Sequence, residues 1–68
     1  MKNRIRVARA EIRMTQQQLA DAAGVSRQTI HAIENGKFVP SALLALKIAR
    51  IFGKTVEELF ELEEGDFQ

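Results

Sequence analysis

Hydrophobic positions recur along this chain at helical spacing, in five short blocks divided by stop and start signals. Ile5, Ala8 and Ile12 stand at i, i+3 and i+7, which predicts a helix over 4–13 with Arg4, Arg6, Arg9 and Arg13 around its apolar face. Thr15 with Gln18 three residues on is a capping box, and Met14 can staple to Leu19. The second helix therefore starts after Thr15, carries Leu19, Ala22 and Ala23 on its apolar face, and ends at Gly24. Ser26 caps a third helix, with Val25 stapling to Ile30, Ile30 and Ile33 facing inward, and Asn35-Gly36 as the stop. Only Val25 separates Gly24 from that cap, so helices two and three must cross steeply.

Lys37-Phe38-Val39-Pro40 reads as a loop, because Pro40 disfavours helix at Val39. Ser41 then caps a fourth helix. Leu43, Leu44, Leu46, Ile48, Ala49, Ile51 and Phe52 give it a wide apolar face, and Gly53 ends it. A second capping box, Thr55 and Glu58, opens a short fifth helix with Val56, Leu59 and Phe60. Beyond it Phe60 and Leu62 alternate with Glu61 and Glu63, a period of two that predicts an extended ending.

Length and composition narrow this picture. Sixty-eight residues make one domain, 1–68, whose small core is marginal without a disulfide, a metal or a partner. There is no cysteine, so disulfides and the commonest zinc-finger ligands are excluded, and oligomerisation is the support left. No apolar run reaches the roughly 20 residues of a membrane span. The charged start Met1–Arg6 has no apolar block behind it, so no signal peptide is expected and the cytoplasm is the expected location.

The net charge of +1 conceals a division. Residues 1–54 carry all ten Lys and Arg against Glu11, Asp21 and Glu34, a net +7. Residues 55–68 carry six acids and no base, a net −6. A basic body favours a polyanionic partner. The tail acids lack the spacing and glycine of a calcium loop, so no metal site is expected. One histidine and no cysteine leave little for nucleophilic catalysis, and Ser26 and Ser41 serve as caps, so no enzyme and no cofactor are expected.

With Ile30 and Ile33 inward, the opposite face of the third helix presents Arg27, Gln28, His31 and Ala32. A helix fits the major groove of B-DNA, where Arg pairs with guanine, Gln with adenine, and a methyl group meets thymine. Gln16 and Gln17 open the second helix, whose N-terminal dipole suits phosphate. Thr29 is open to two roles, touching a phosphate or filling the third helical position.

The combination Ser26-Arg27-Gln28-Thr29-Ile30 with Ile33-Glu34-Asn35-Gly36-Lys37, and Thr15-Gln16 and Leu19-Ala20 upstream, resembles the phage-repressor/Cro-like (XRE-type) helix-turn-helix family. The resemblance spans 4–60 and is greatest to its short stand-alone members, the cytolysin-type repressors, which are homodimers without a sensor domain. It implies an all-α, five-helix, lambda-repressor-like domain with the helix-turn-helix at 15–35, and the remaining 55–68 is the expected dimerisation segment and acidic tail. It implies a sequence-specific regulator of double-stranded DNA, a repressor by family habit. Gln16 would clamp phosphate, Arg27, Gln28 and Ala32 would read bases, and Asn35 and Lys37 would hold the backbone. Arg9 and Glu34 match a partly buried ion pair. Ala32 departs from the larger polar reader common at its position, which puts base preference there in doubt. An antitoxin or protein-interaction module on the same fold is the alternative. Leu59, Phe60, Leu62 and Phe67 are the expected dimer contacts, and a short antiparallel pairing of the 60–66 stretch with the basic start, Lys2 and Arg4, would match charge across strands.

Overall fold

A computed structural model describes all 68 residues. Five helices follow in order, α1 (Ile5–Glu11), α2 (Gln16–Ala23), α3 (Arg27–Glu34), α4 (Ala42–Phe52) and α5 (Val56–Leu59). Two-residue strands β1 (Lys2–Asn3) and β2 (Phe60–Glu61) bracket them, and a 3-10 turn covers Glu64–Phe67. The strands pair antiparallel, Lys2 opposite Glu61 and Asn3 opposite Phe60. The expected pairing of the chain ends thus forms within one chain.

The caps follow the sequence closely. Thr15 and Thr55 close reciprocal capping boxes, and Ser26 and Ser41 each accept the backbone N–H three residues on. Gly24 and Gly53 take left-handed φ values of 74° and 65°, which turn the chain sharply out of α2 and α4.

One cluster forms the core. Its fully buried large side chains are Ile5, Leu19, Ile30, Ile33, Ile48 and Leu59, so all five helices contribute. Four apolar assignments need correction. Helix α1 stops at Glu11, two residues short of the expected end, and Arg13 turns left-handed (φ 54°). Ile12 is thereby carried off the helical face and lies 54% exposed. In α2 the buried set is Leu19, Ala20 and Ala23, while Ala22 is exposed; at about 100° per residue, Ala20 falls nearer the centre of that face. In α4 the core takes Leu44, Ala45, Ile48 and Ala49, and leaves Leu43 and Leu46 outside on the opposite face. Lastly, Leu59 and Phe60 are buried in the chain's own core, because β2 folds back onto β1. Of the four expected dimer contacts, only Leu62 and Phe67 remain at the surface.

Candidate nucleic-acid interface

Burial of Ile30 and Ile33 orients α3. Arg27, Gln28 and His31 lie exposed on its other side, Ala32 is half-buried, and Asn35 and Lys37 follow exposed beyond its end. Gln16 reaches the same region from α2. The structure thus gathers these seven sequence-predicted positions around α3. Two others are engaged locally: Gln17 donates to Asp21 Oδ1 at 2.9 Å, one turn along α2, and the Thr29 hydroxyl lies 2.9 Å from Ser26 Oγ. Thr29 therefore serves the cap of α3 as well as filling its third position.

A hydrogen-bonded hub underlies this surface. Glu34 has a side chain with no solvent exposure and accepts from Arg9 Nε at 2.6 Å and Arg9 Nη2 at 3.0 Å. Arg9 Nη1 also donates to the Met14 carbonyl at 2.9 Å, which fixes the α1–α2 corner. Gln16 Nε2 donates to Glu34 Oε1 at 3.2 Å and lies 3.5 Å from His31 Nδ1. The Asn35 amide nitrogen is 3.0 Å from His31 Nε2, and Asn35 Oδ1 accepts from Arg6 Nη2 at 3.4 Å. Arg6 Nε is itself 3.5 Å from Glu34.

One buried carboxylate therefore holds three side chains, Arg6 and Arg9 from α1 and Gln16 from α2, and Gln16 in turn approaches His31 of α3. Burial alone would raise the Glu34 pKa. The hydrogen bonds from Arg9 and Gln16, with the charges of Arg9 and Arg6, outweigh it and hold the carboxyl below its ordinary value. The same pairing raises Arg9, chiefly through its hydrogen bonds to Glu34.

Two members of this arrangement escaped sequence reasoning. Asn3 donates to the carbonyl of Ile33 at 2.8 Å, from a strand no periodicity could place. Its Oδ1 meanwhile accepts the Ile5 N–H at 3.3 Å, so one amide ties the start of α1 to the end of α3. Arg6 read only as one of four arginines around the apolar face of the first helix. The available signal was that Glu34 is the only acid between Asp21 and Glu57, with Arg6 and Arg9 one turn apart on α1 to meet it.

Comparison with known proteins agrees with this geometry. The helix-turn-helix family pattern matches residues 5–59. An uncharacterized helix-turn-helix-type transcriptional regulator of Methanocaldococcus jannaschii is 50% identical over 66 residues, covering 97% of this chain and 100% of that protein. One from Bacillus subtilis is 48% identical over 64 residues, covering 94% of this chain and 97% of its own. Among solved structures, the restriction-modification controller protein C.AhdI of Aeromonas hydrophila superposes with a TM-score of 0.77 at 30% identity, over 84% of this chain and 86% of that one. The chain belongs to the helix-turn-helix family, and these relatives are named as transcriptional regulators, not as enzymes.

Proposed function

We propose that the chain is a sequence-specific regulator of transcription that acts as a homodimer on a pseudo-palindromic operator, in the manner of a repressor. The observation that carries this reading is the polar outer face of α3. Arg27, Gln28 and His31 are exposed there with no acidic partner, while the one acid nearby, Glu34, is turned inward and neutralised by Arg9. The α3 surface is therefore free to meet the negative edge of a DNA groove. In this reading Arg27, Gln28 and Ala32 address bases, and Gln16, Asn35 and Lys37 address phosphates. Gln17, Thr29 and His31 line the same approach.

A two-fold dimer would set its recognition helices about 34 Å apart, so half-sites would recur once per helical turn. Selecting bound sequences from a random DNA pool tests both parts of the proposal. The expected product is a motif of two inverted half-sites centred about 10 base pairs apart. Recovery of no motif would remove the base-reading role, and a single half-site would remove the dimer. Fusing the recovered operator to a reporter promoter then tests direction, with the chain lowering expression.

A further inference from the structure

Helix α4 is apolar on two faces. Leu44, Ala45, Ile48 and Ala49 enter the core, whereas Leu43 and Leu46, 65% and 60% exposed, stand on the outside. Lys47 and Arg50 flank them there, and neither meets an acid within ion-pair distance. The preceding loop also exposes Phe38 and Val39. A helix that is apolar around most of its circumference is normally covered on both sides. Contiguous exposed apolar surface on so small a protein marks an interaction site.

The tail has the complementary character. Leu62 and Phe67 are 60% and 77% exposed, and neither packs against the core of its own chain. Glu63 and Asp66 are occupied by the Met1 ammonium, at 3.0 and 3.1 Å, which pins the tail's backbone beside β1. Glu64 has no basic partner, and Glu61 has only a long contact of 3.8 Å to Arg4. One surface thus offers two leucines with unpaired bases, and the other offers Leu62 and Phe67 with spare acids.

We propose that the outer face of α4 seats the acidic tail of a second copy of this chain, and that the exchange is reciprocal. Leu43 and Leu46 of one protomer then cover Leu62 and Phe67 of its partner, with Lys47 and Arg50 opposite Glu61 and Glu64. Such a contact is self-complementary, as a two-fold dimer requires. Direct packing of α4 on α4 would instead oppose Lys47 and Arg50 to their own copies, and like charges across an interface disfavour association. The inference rests on the homodimer proposed above and specifies its interface.

Charge exchange tests it. One variant carries Lys47→Glu and Arg50→Glu, and a second carries Glu61→Lys and Glu64→Lys. All four positions are exposed, and thermal melts by circular dichroism would verify that both variants fold. In sedimentation equilibrium each variant alone should show a dimer dissociation constant raised at least about tenfold. An equimolar mixture should return to near wild-type association, because each α4 face then meets a tail of opposite charge. If either variant dimerises alone as tightly as the wild type, or the mixture stays dissociated, the α4–tail contact is overturned while a dimer through another surface stands. A wild-type chain that remains monomeric both free and on operator DNA overturns the contact and the homodimer together.

Discussion

Both carboxylate oxygens of Glu34, wholly shielded from solvent, accept from a single guanidinium: Arg9 Nε at 2.6 Å and Nη2 at 3.0 Å. The pair joins α1 to the last residue of α3, so it sets how α3 leans on the rest of the fold. Removing one partner leaves a buried charge uncompensated, which costs more than the pair itself contributes. Arg9→Met should therefore destabilise the chain by about 3 kcal/mol, whereas the double change Arg9→Met with Glu34→Leu should recover most of that loss. Urea denaturation of the three proteins measures both values. If the single and double variants are equally destabilised, the ion pair is not the source of the effect.

The same carboxylate shapes the response to acid. Its folded pKa lies below the ordinary value of 4.5, as does that of Glu58, which accepts from the Thr55 backbone, and that of Asp66, which accepts from the Glu63 backbone, lies below its own ordinary value of 3.8. A lowered folded pKa contributes stability above the unfolded pKa and loses it as pH falls through the folded one. All three groups act in that direction, so stability should decline below about pH 4.5. The Met1 ammonium is raised from 8.0 by Glu63 and Asp66, and its contribution is lost in the opposite direction, as pH climbs through the folded value. Melting temperature against pH should fall at both ends, and Glu34→Gln should flatten the acid side.

Legibility in the sequence followed the range of the interactions. Every helix start set by a Ser or Thr cap could be read, because a cap is a contact between residues three apart. The polar face of α3 could be read because Ile30 and Ile33 fix its rotation. Periodicity could not tell which of two apolar faces of α4 is covered, so Leu43 and Leu46 looked like core. Leu59 and Phe60 looked available to a partner because their burial depends on β1, which lies more than fifty residues away in sequence. Asn3 was silent for the same reason.

Arg13 occupies a backbone conformation that its neighbours leave to glycine. The amides of Arg13 and Met14 bond back to the Ala10 and Arg9 carbonyls, the same closing pattern that Gly24, Gly36 and Gly53 make at the ends of α2, α3 and α4. A side chain in this left-handed region costs roughly 1–2 kcal/mol, and the greater freedom of glycine in the unfolded chain offsets part of the gain from removing it. Arg13→Gly should stabilise the protein by up to about 1 kcal/mol. A lower denaturation midpoint would mean that the arginine side chain makes a compensating contribution.

Base-reading and phosphate-holding groups should separate by their salt and sequence dependence. Arg27→Ala or Gln28→Ala should cost on the order of 1–3 kcal/mol on the selected operator and relax discrimination against altered half-sites. Lys37→Ala should weaken binding to operator and unrelated DNA alike, and reduce the slope of log affinity against log salt by about one. Fluorescence anisotropy across a salt series distinguishes the two patterns. Unchanged affinity and discrimination for Arg27→Ala would remove α3 from the base-reading role.

Asn3 offers a test of whether the joined chain ends steady α3. Its amide donates to the Ile33 carbonyl at 2.8 Å, and its backbone pairs with Phe60, so it couples the end of α3 to the small sheet. Asn3→Ala leaves that carbonyl without its side-chain donor and should cost about 1–2 kcal/mol of stability. Asn3→Asp should be no better, because a carboxylate cannot donate and would face the carbonyl oxygen directly. Neither change touches the outer face of α3, so a purely global effect would leave operator affinity intact wherever the protein is folded. A steadying role predicts more: faster amide hydrogen exchange at the end of α3, around Ile33 and Asn35, and weaker operator binding at temperatures well below the melt. Exchange that quickens uniformly through the chain, with affinity unchanged, would make Asn3 a contributor to overall stability alone.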